Sequence, residues 1–191
     1  MTMPLNAPNV LTFSRLALIP VLVIVYYAGG HMVASAIFIL AGITDWLDGY
    51  LARRLDQQSR FGAFLDPVAD KLIVTMALVL LVSDPVVLET VYSRILFTVV
   101  TLIIIGRELI VSALREWMAE VGRRASVAVS MVGKFKTTAQ IVAIAMLLFG
   151  NDVAGIPIFK IGESLLYVAG ALTLWSMLMY LRAARESLLQ E

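Results

Sequence analysis

Six apolar segments, residues 10–27, 32–52, 61–83, 91–114, 133–149 and 157–181, occupy most of this 191-residue chain and constrain its fold before any single residue is considered. A helix needs about 20 residues to cross the hydrocarbon layer. The pattern therefore predicts an all-α, polytopic membrane protein with six transmembrane helices, forming a single integral-membrane domain over residues 1–191. Apolar residues make up 60% and charged residues 15% of the chain, and the mean hydropathy is +0.90. That balance gives a soluble reading little weight. Three of the uncharged cores, 72–83, 95–106 and 137–150, are only 12, 12 and 14 residues long. Those helices must carry ionisable residues at their ends. Asp66, Asp70, Lys71, Arg107, Glu108, Lys134 and Lys136 then lie near the bilayer boundary, on the side where the second helix places Asp45 and Asp48.

The distribution of basic residues orients the chain. Ten Lys and Arg residues fall in the loops after the second and fourth segments and at the C-terminus, against Arg94 and Lys160 on the opposite side. Both termini and the carboxylates are thus expected at the cytoplasmic face. No Lys or Arg precedes Arg15, so the first segment reads as a retained helix and not as a secretory leader. Trp46, Trp117 and Trp175, with Tyr26, Tyr27, Tyr92 and Tyr180, are expected in interfacial belts. The small residues Gly162 and Gly170 permit close helix contact and are a weak signal for a dimer.

Asp45 and Asp48 are i,i+3, and Asp66 and Asp70 are i,i+4, so each pair projects from one helix face. Side by side, two such helices bring four carboxylates together at the cytoplasmic ends of the second and third spans. A charge at membrane depth costs roughly 2.5–3.5 kcal/mol on insertion scales and wants a partner or a wet cavity. With no cysteine and one histidine, His31, next to Gly29-Gly30 in an expected turn, metal binding rests on oxygen ligands. Oxygen ligands favour Mg²⁺ or Mn²⁺ over zinc. Pro67 can bend the third helix beside these carboxylates.

The spacing Asp45-x2-Asp48-Gly49-x2-Ala52-Arg53-x8-Gly62-x3-Asp66-x3-Asp70 resembles the signature of the CDP-alcohol phosphotransferase family. The segments 9–15, 106–119 and 133–140 look like one bacterial branch of it, in which sn-glycerol 3-phosphate is the acceptor. The resemblance implies transfer of the phosphatidyl group from CDP-diacylglycerol to that acceptor, with release of CMP. It implies that Asp45, Asp48 and Asp66 bind one metal ion, that Asp66 and Asp70 help hold a second, and that Asp70 is the general base. A two-metal site of that kind would neutralise the diphosphate. Gly49 and Ala52 lie on the stripe of Asp45 and Asp48 and leave room for a nucleotide, and Arg53 can grip a phosphate. Gly62, one turn before Asp66, is either a substrate contact or a packing glycine. The resemblance further implies a homodimer in the bacterial inner membrane, in contact with membrane lipids and with no nucleic-acid partner.

A dianionic acceptor needs cations. Arg107 and Arg115 are i,i+8 on the fourth span, and Lys134 and Lys136 open the fifth; together they form a candidate phosphate pocket. Glu108 and Glu116 offer the same arginines a structural salt bridge instead. Arg123, Arg124, Arg182 and Arg185 fit anchoring to anionic headgroups, Lys71 fits snorkelling to the interface, and Thr12 and Arg15 face either the headgroup-side cavity or the interface. Two rival readings remain. Another acceptor, such as inositol phosphate, serine or phosphatidylglycerol, would use the same signature without needing Arg107 and Arg115 if neutral. A divalent-cation transporter would explain the aspartates but not Gly49, Ala52 and Arg53 beside them.

Overall fold

The computed structural model describes residues 7–54, 60–120 and 131–188. It is all-helical: α1 Ala7–Tyr27, α2 His31–Arg54, α3 Arg60–Ser83, α4 Pro85–Thr90, α5 Arg94–Glu120, α6 Met131–Phe149 and α7 Ile158–Leu188. Among the described residues there is no strand, only an isolated antiparallel bridge between Val153 and Ile156. The six long helices coincide with the six apolar segments. The seventh, α4, was not expected. It forms because Asp84 caps it, its Oδ1 accepting from Val86 N at 2.8 Å, and Pro85 supplies a preset φ at the first position.

Among the described residues, three helices, over Val10–Tyr27, Arg94–Met118 and Ile158–Met179, are long and apolar enough to cross a membrane by length and composition. His31–Asp45 and Lys136–Phe149 are shorter apolar stretches.

The turn between α1 and α2 uses Gly29 at φ +82°, a left-handed conformation that glycine adopts without a Cβ penalty. His31 opens α2 and does not sit in the turn, its ring edge-on to Tyr26 at 4.9 Å. Tyr26 is buried and donates to Asp84 Oδ2 at 2.7 Å, so it is not part of an aromatic belt. Tyr27, Tyr92 and Trp175 are exposed, as a belt requires.

The core runs down the bundle axis, with Leu22, Phe38, Leu78, Leu81, Phe97, Ile144, Leu147 and Leu166 buried. α1 lies along α2, α6 along α7, and α2 and α5 pack on α6 and α7 in turn. The Ser35 hydroxyl donates to the Ala145 carbonyl at 2.8 Å and fixes α2 against α6. Gly162 and Gly170 are consumed inside the chain. A Cβ at Gly162 would meet Met146 Cβ at 2.8 Å, and one at Gly170 would meet Val100 Cγ1 at 2.7 Å. They bring α7 close to α6 and α5, so they are not a free surface for a second copy.

Candidate active site

Thr12 and Arg15 share one face of α1, and Asp66 and Asp70 share one face of α3. The two faces meet, for α1 packs on α3. Thr12 Oγ1 donates to Asp66 Oδ1 at 2.6 Å. One turn further on, the Arg15 guanidinium donates through Nη1 to Asp45 Oδ1 at 2.9 Å and to Asp70 Oδ1. Arg15 is buried at 1% exposure, while the side chains of Asp45 and Asp70 remain 43% exposed. A buried arginine thus gathers the carboxylates of α2 and α3 and leaves their other oxygens open.

Those oxygens face a cavity of about 610 Å³. Its lining carries a second charged group. Glu108 Oε1 on α5 accepts from Arg107 Nη1 at 2.8 Å and from Lys136 Nζ on α6 at 3.2 Å. Arg107 Nη2 also donates to Ser176 Oγ on α7 at 3.3 Å. Lys71, adjacent to Asp70 on α3, turns inward and donates to Ser112 Oγ on α5. It lines the cavity and does not snorkel outward. The carboxylates of α2 and α3 and the cations of α5 and α6 thus line a single cavity.

Of the expected site residues, Asp45, Asp70, Arg107 and Lys136 line this cavity, together with Arg15, Lys71, Glu108 and Ser112. Asp66 points to Thr12 on the same side. Gly62 is buried in the first turn of α3. Asp48, Gly49, Ala52 and Arg53 lie in the last turns of α2, Arg115 in α5 and Lys134 in α6, and their side chains fall outside those described. Of the anchoring residues, Arg123 and Arg124 lie outside the described residues, and the side chain of Arg185 outside those described.

Among the described residues, no three Asp, Glu, His or Cys side chains stand close enough to hold an ion. Asp45 and Asp70 are drawn onto Arg15, and Asp66 onto Thr12. The chemistry of the donors nevertheless fits a hard cation. Every donor is oxygen, and three carboxylates outnumber the one guanidinium among them, a local negative excess that a divalent ion matches.

Sequence reasoning offered Glu108 to Arg107 but missed that Lys136 shares it, and it missed Arg15 as the partner of Asp45 and Asp70. The signal for Arg15 was present: it is the lone charged residue of its apolar segment, and such a residue wants a partner.

The model of the CDP-alcohol phosphatidyltransferase family matches residues 5–176. The CDP-diacylglycerol–glycerol-3-phosphate 3-phosphatidyltransferase of Salmonella choleraesuis strain SC-B67 is 51% identical to this chain, covering 99% of it and 100% of the relative. The proteins of the same name from Shigella flexneri and Escherichia coli K12 are each 49% identical, over 99% of this chain and 100% of their own length. Similarity over nearly the whole length, at this level, extends well beyond the acidic signature. This chain belongs to the CDP-alcohol phosphatidyltransferase family.

Proposed function

We propose that this chain transfers the phosphatidyl group of CDP-diacylglycerol to sn-glycerol 3-phosphate, giving phosphatidylglycerophosphate and CMP in phospholipid biosynthesis. The single observation that supports this reading best is one cavity lined by both kinds of group: carboxylates that suit a metal-diphosphate, and Arg107 and Lys136, which suit an anionic acceptor. The names of the full-length relatives agree with it.

In this reading, the acceptor hydroxyl attacks the phosphorus that carries the diacylglycerol, the bond from that phosphorus to the CMP oxygen breaks, and Asp70 takes the hydroxyl proton. Asp45, Asp48, Asp66 and Asp70 would hold Mg²⁺ or Mn²⁺, whose chemistry is to neutralise the diphosphate and the charge growing on the departing CMP. Arg15 keeps Asp45 and Asp70 aimed at the cavity and limits their mutual repulsion. Arg53 reads the nucleotide phosphates, beside the small Gly49, Ala52 and Gly62. Arg107, Arg115, Lys134 and Lys136 receive the acceptor phosphate. Glu108 holds Arg107 and Lys136 in position, so the acceptor phosphate joins a pre-formed cation pair and shares it with Glu108.

The proposal includes six membrane-crossing helices in one domain. Its mouth lies at the cytoplasmic face of a bacterial inner membrane, where ten of the twelve loop and terminal basic residues fall. It also includes a homodimer, whose contact surface must lie away from Gly162 and Gly170. The test is a membrane assay with CDP-diacylglycerol and competing alcohols, scored for CMP release. Release driven by sn-glycerol 3-phosphate supports the reading. Release driven by inositol phosphate, serine or phosphatidylglycerol in its place transfers the same chemistry to another acceptor, and divalent-cation uptake without CMP release refutes it.

A further inference from the structure

The cavity lining includes the apolar residues Phe38, Ala41, Ile73 and Ile141 and, on the same helix as Ile141, the amide of Gln140. Gln140 lies on α6 one turn beyond Lys136, so the two share a helix face. Its side chain is only 4% exposed, and among the described residues no group donates to its Oε1. A buried amide oxygen is normally paired, because leaving it dry forfeits its hydration without return. The residue lines the site, and what its buried oxygen lacks is a donor. A phosphate or carboxylate cannot supply one; a hydroxyl can.

Resting on the function proposed above, the polar groups of the acceptor can be matched to the cavity one by one. The phosphate of sn-glycerol 3-phosphate suits Arg107 and Lys136, and the attacking primary hydroxyl suits Asp70. One acceptor group remains, the C2 hydroxyl; of the other polar groups that line the wall, Lys71 and Ser112 bond each other, and Gln140 Oε1 is the buried acceptor without a donor among the described residues. We infer that Gln140 determines acceptor specificity by accepting a hydrogen bond from the non-reacting C2 hydroxyl. The apolar neighbours add exclusion: the extra hydroxyls of a larger phosphorylated polyol would face Phe38 and Ile73 without partners.

The probe is 3-hydroxypropyl phosphate, which keeps the phosphate and the primary hydroxyl and lacks the C2 hydroxyl. A second is 2-fluoro-3-hydroxypropyl phosphate, which can accept but not donate at that carbon. For wild type, kcat/KM for sn-glycerol 3-phosphate should exceed that for either analogue on the order of 10–100-fold, the scale of one unpaired buried acceptor. Gln140→Leu should bring the ratio close to unity, mainly by losing activity on sn-glycerol 3-phosphate, and Gln140→Glu, which keeps an acceptor oxygen, should retain more of it. A wild type that uses the analogues as well as the natural acceptor overturns the inference, and so does a Gln140→Leu protein that keeps the wild-type ratio at a lower rate. If Gln140→Leu does not accumulate as folded protein, the wild-type comparison of the two analogues decides alone. A wild type that turns over no phosphorylated polyol fails at the functional reading, before any ratio can be formed.

Discussion

Replacing Arg15 by methionine keeps the apolar stem of the side chain and removes the charge that Asp45 and Asp70 share. Breaking a buried ion pair by removing one partner typically costs about 3–5 kcal/mol, because the remaining charge is left uncompensated. Here the arginine is buried but the two aspartate side chains are 43% exposed, so water screens part of the loss. The expected cost is about 2–3 kcal/mol of folding stability, between the buried and the exposed limits. Since about 1.4 kcal/mol is a factor of ten, the folding equilibrium should shift by roughly 30–150-fold. The measurement is equilibrium unfolding of the purified protein in mixed micelles, run as a double-mutant cycle with Asp70→Asn. The two single changes should couple by about 1–3 kcal/mol, as contacting groups do. A second arm uses the metal. If Arg15 is the resident positive charge of the carboxylate group, Mg²⁺ should raise the stability of Arg15→Met more than that of the wild type. An Arg15→Met protein within about 0.5 kcal/mol of wild type, the range of ordinary surface changes, would refute the assignment. A cycle with no coupling would do the same.

Activity should vanish in chelator and return with Mg²⁺ or Mn²⁺, and each of Asp45→Asn, Asp48→Asn, Asp66→Asn and Asp70→Asn should lower kcat on the order of 10²-fold or more; full turnover in metal-free buffer would end the metal reading. Arg107→Ala and Lys136→Ala should raise the KM for sn-glycerol 3-phosphate by about 10–100-fold if each loses a charge-assisted contact of roughly 1.5–3 kcal/mol, with the constant for CDP-diacylglycerol little changed. Kinetic titration of each substrate against saturating partner checks this, and an unchanged acceptor constant would move the phosphate pocket elsewhere. Gly162→Val should destabilise by about 1–3 kcal/mol through overpacking, because its Cβ would sit 2.8 Å from Met146 Cβ and 3.1 Å from the Ala143 carbonyl oxygen. Measured by thermal unfolding alongside it, Gly106→Ala, whose new Cβ would meet nothing within 4 Å beyond its own stretch of helix, should be neutral or stabilising, since alanine is the better helix former.

The helices were legible because apolar runs of near-membrane length admit little else, and their observed ends fall within a few residues of the segment ends except at α5 and α7, which continue to Glu120 and Leu188. α4 was not legible as a helix: six residues between Asp84 and Val91 carry no periodic face, and only the aspartate cap and Pro85 mark it. Gly162 and Gly170 looked like a surface for a second chain because small residues report close approach without naming the partner. The partners, Met146 and Val100, lie on other helices of the same chain.

The site divides along the same physical line. Residues that act through spacing on their own helix, such as Asp66 and Asp70, can be read from periodicity, because i,i+4 fixes a shared face. Residues that act across helices cannot, because pairing depends on which faces the bundle opposes. Arg107 illustrates the difference. Its sequence context offers two partners of opposite consequence, an acceptor phosphate or Glu108, and the structure has it on Glu108 with Lys136 on the same oxygen. The two are compatible. A carboxylate shared by two cations leaves them with positive charge in excess, so the pair stays positioned without ligand and still attracts a dianion. Glu108→Gln separates holding from binding: it should leave Arg107 and Lys136 charged but less fixed. The acceptor KM would then rise through lost positioning even though the field at the cavity becomes more positive. A fall in that KM would mean that Glu108 competes with the phosphate more than it positions its partners.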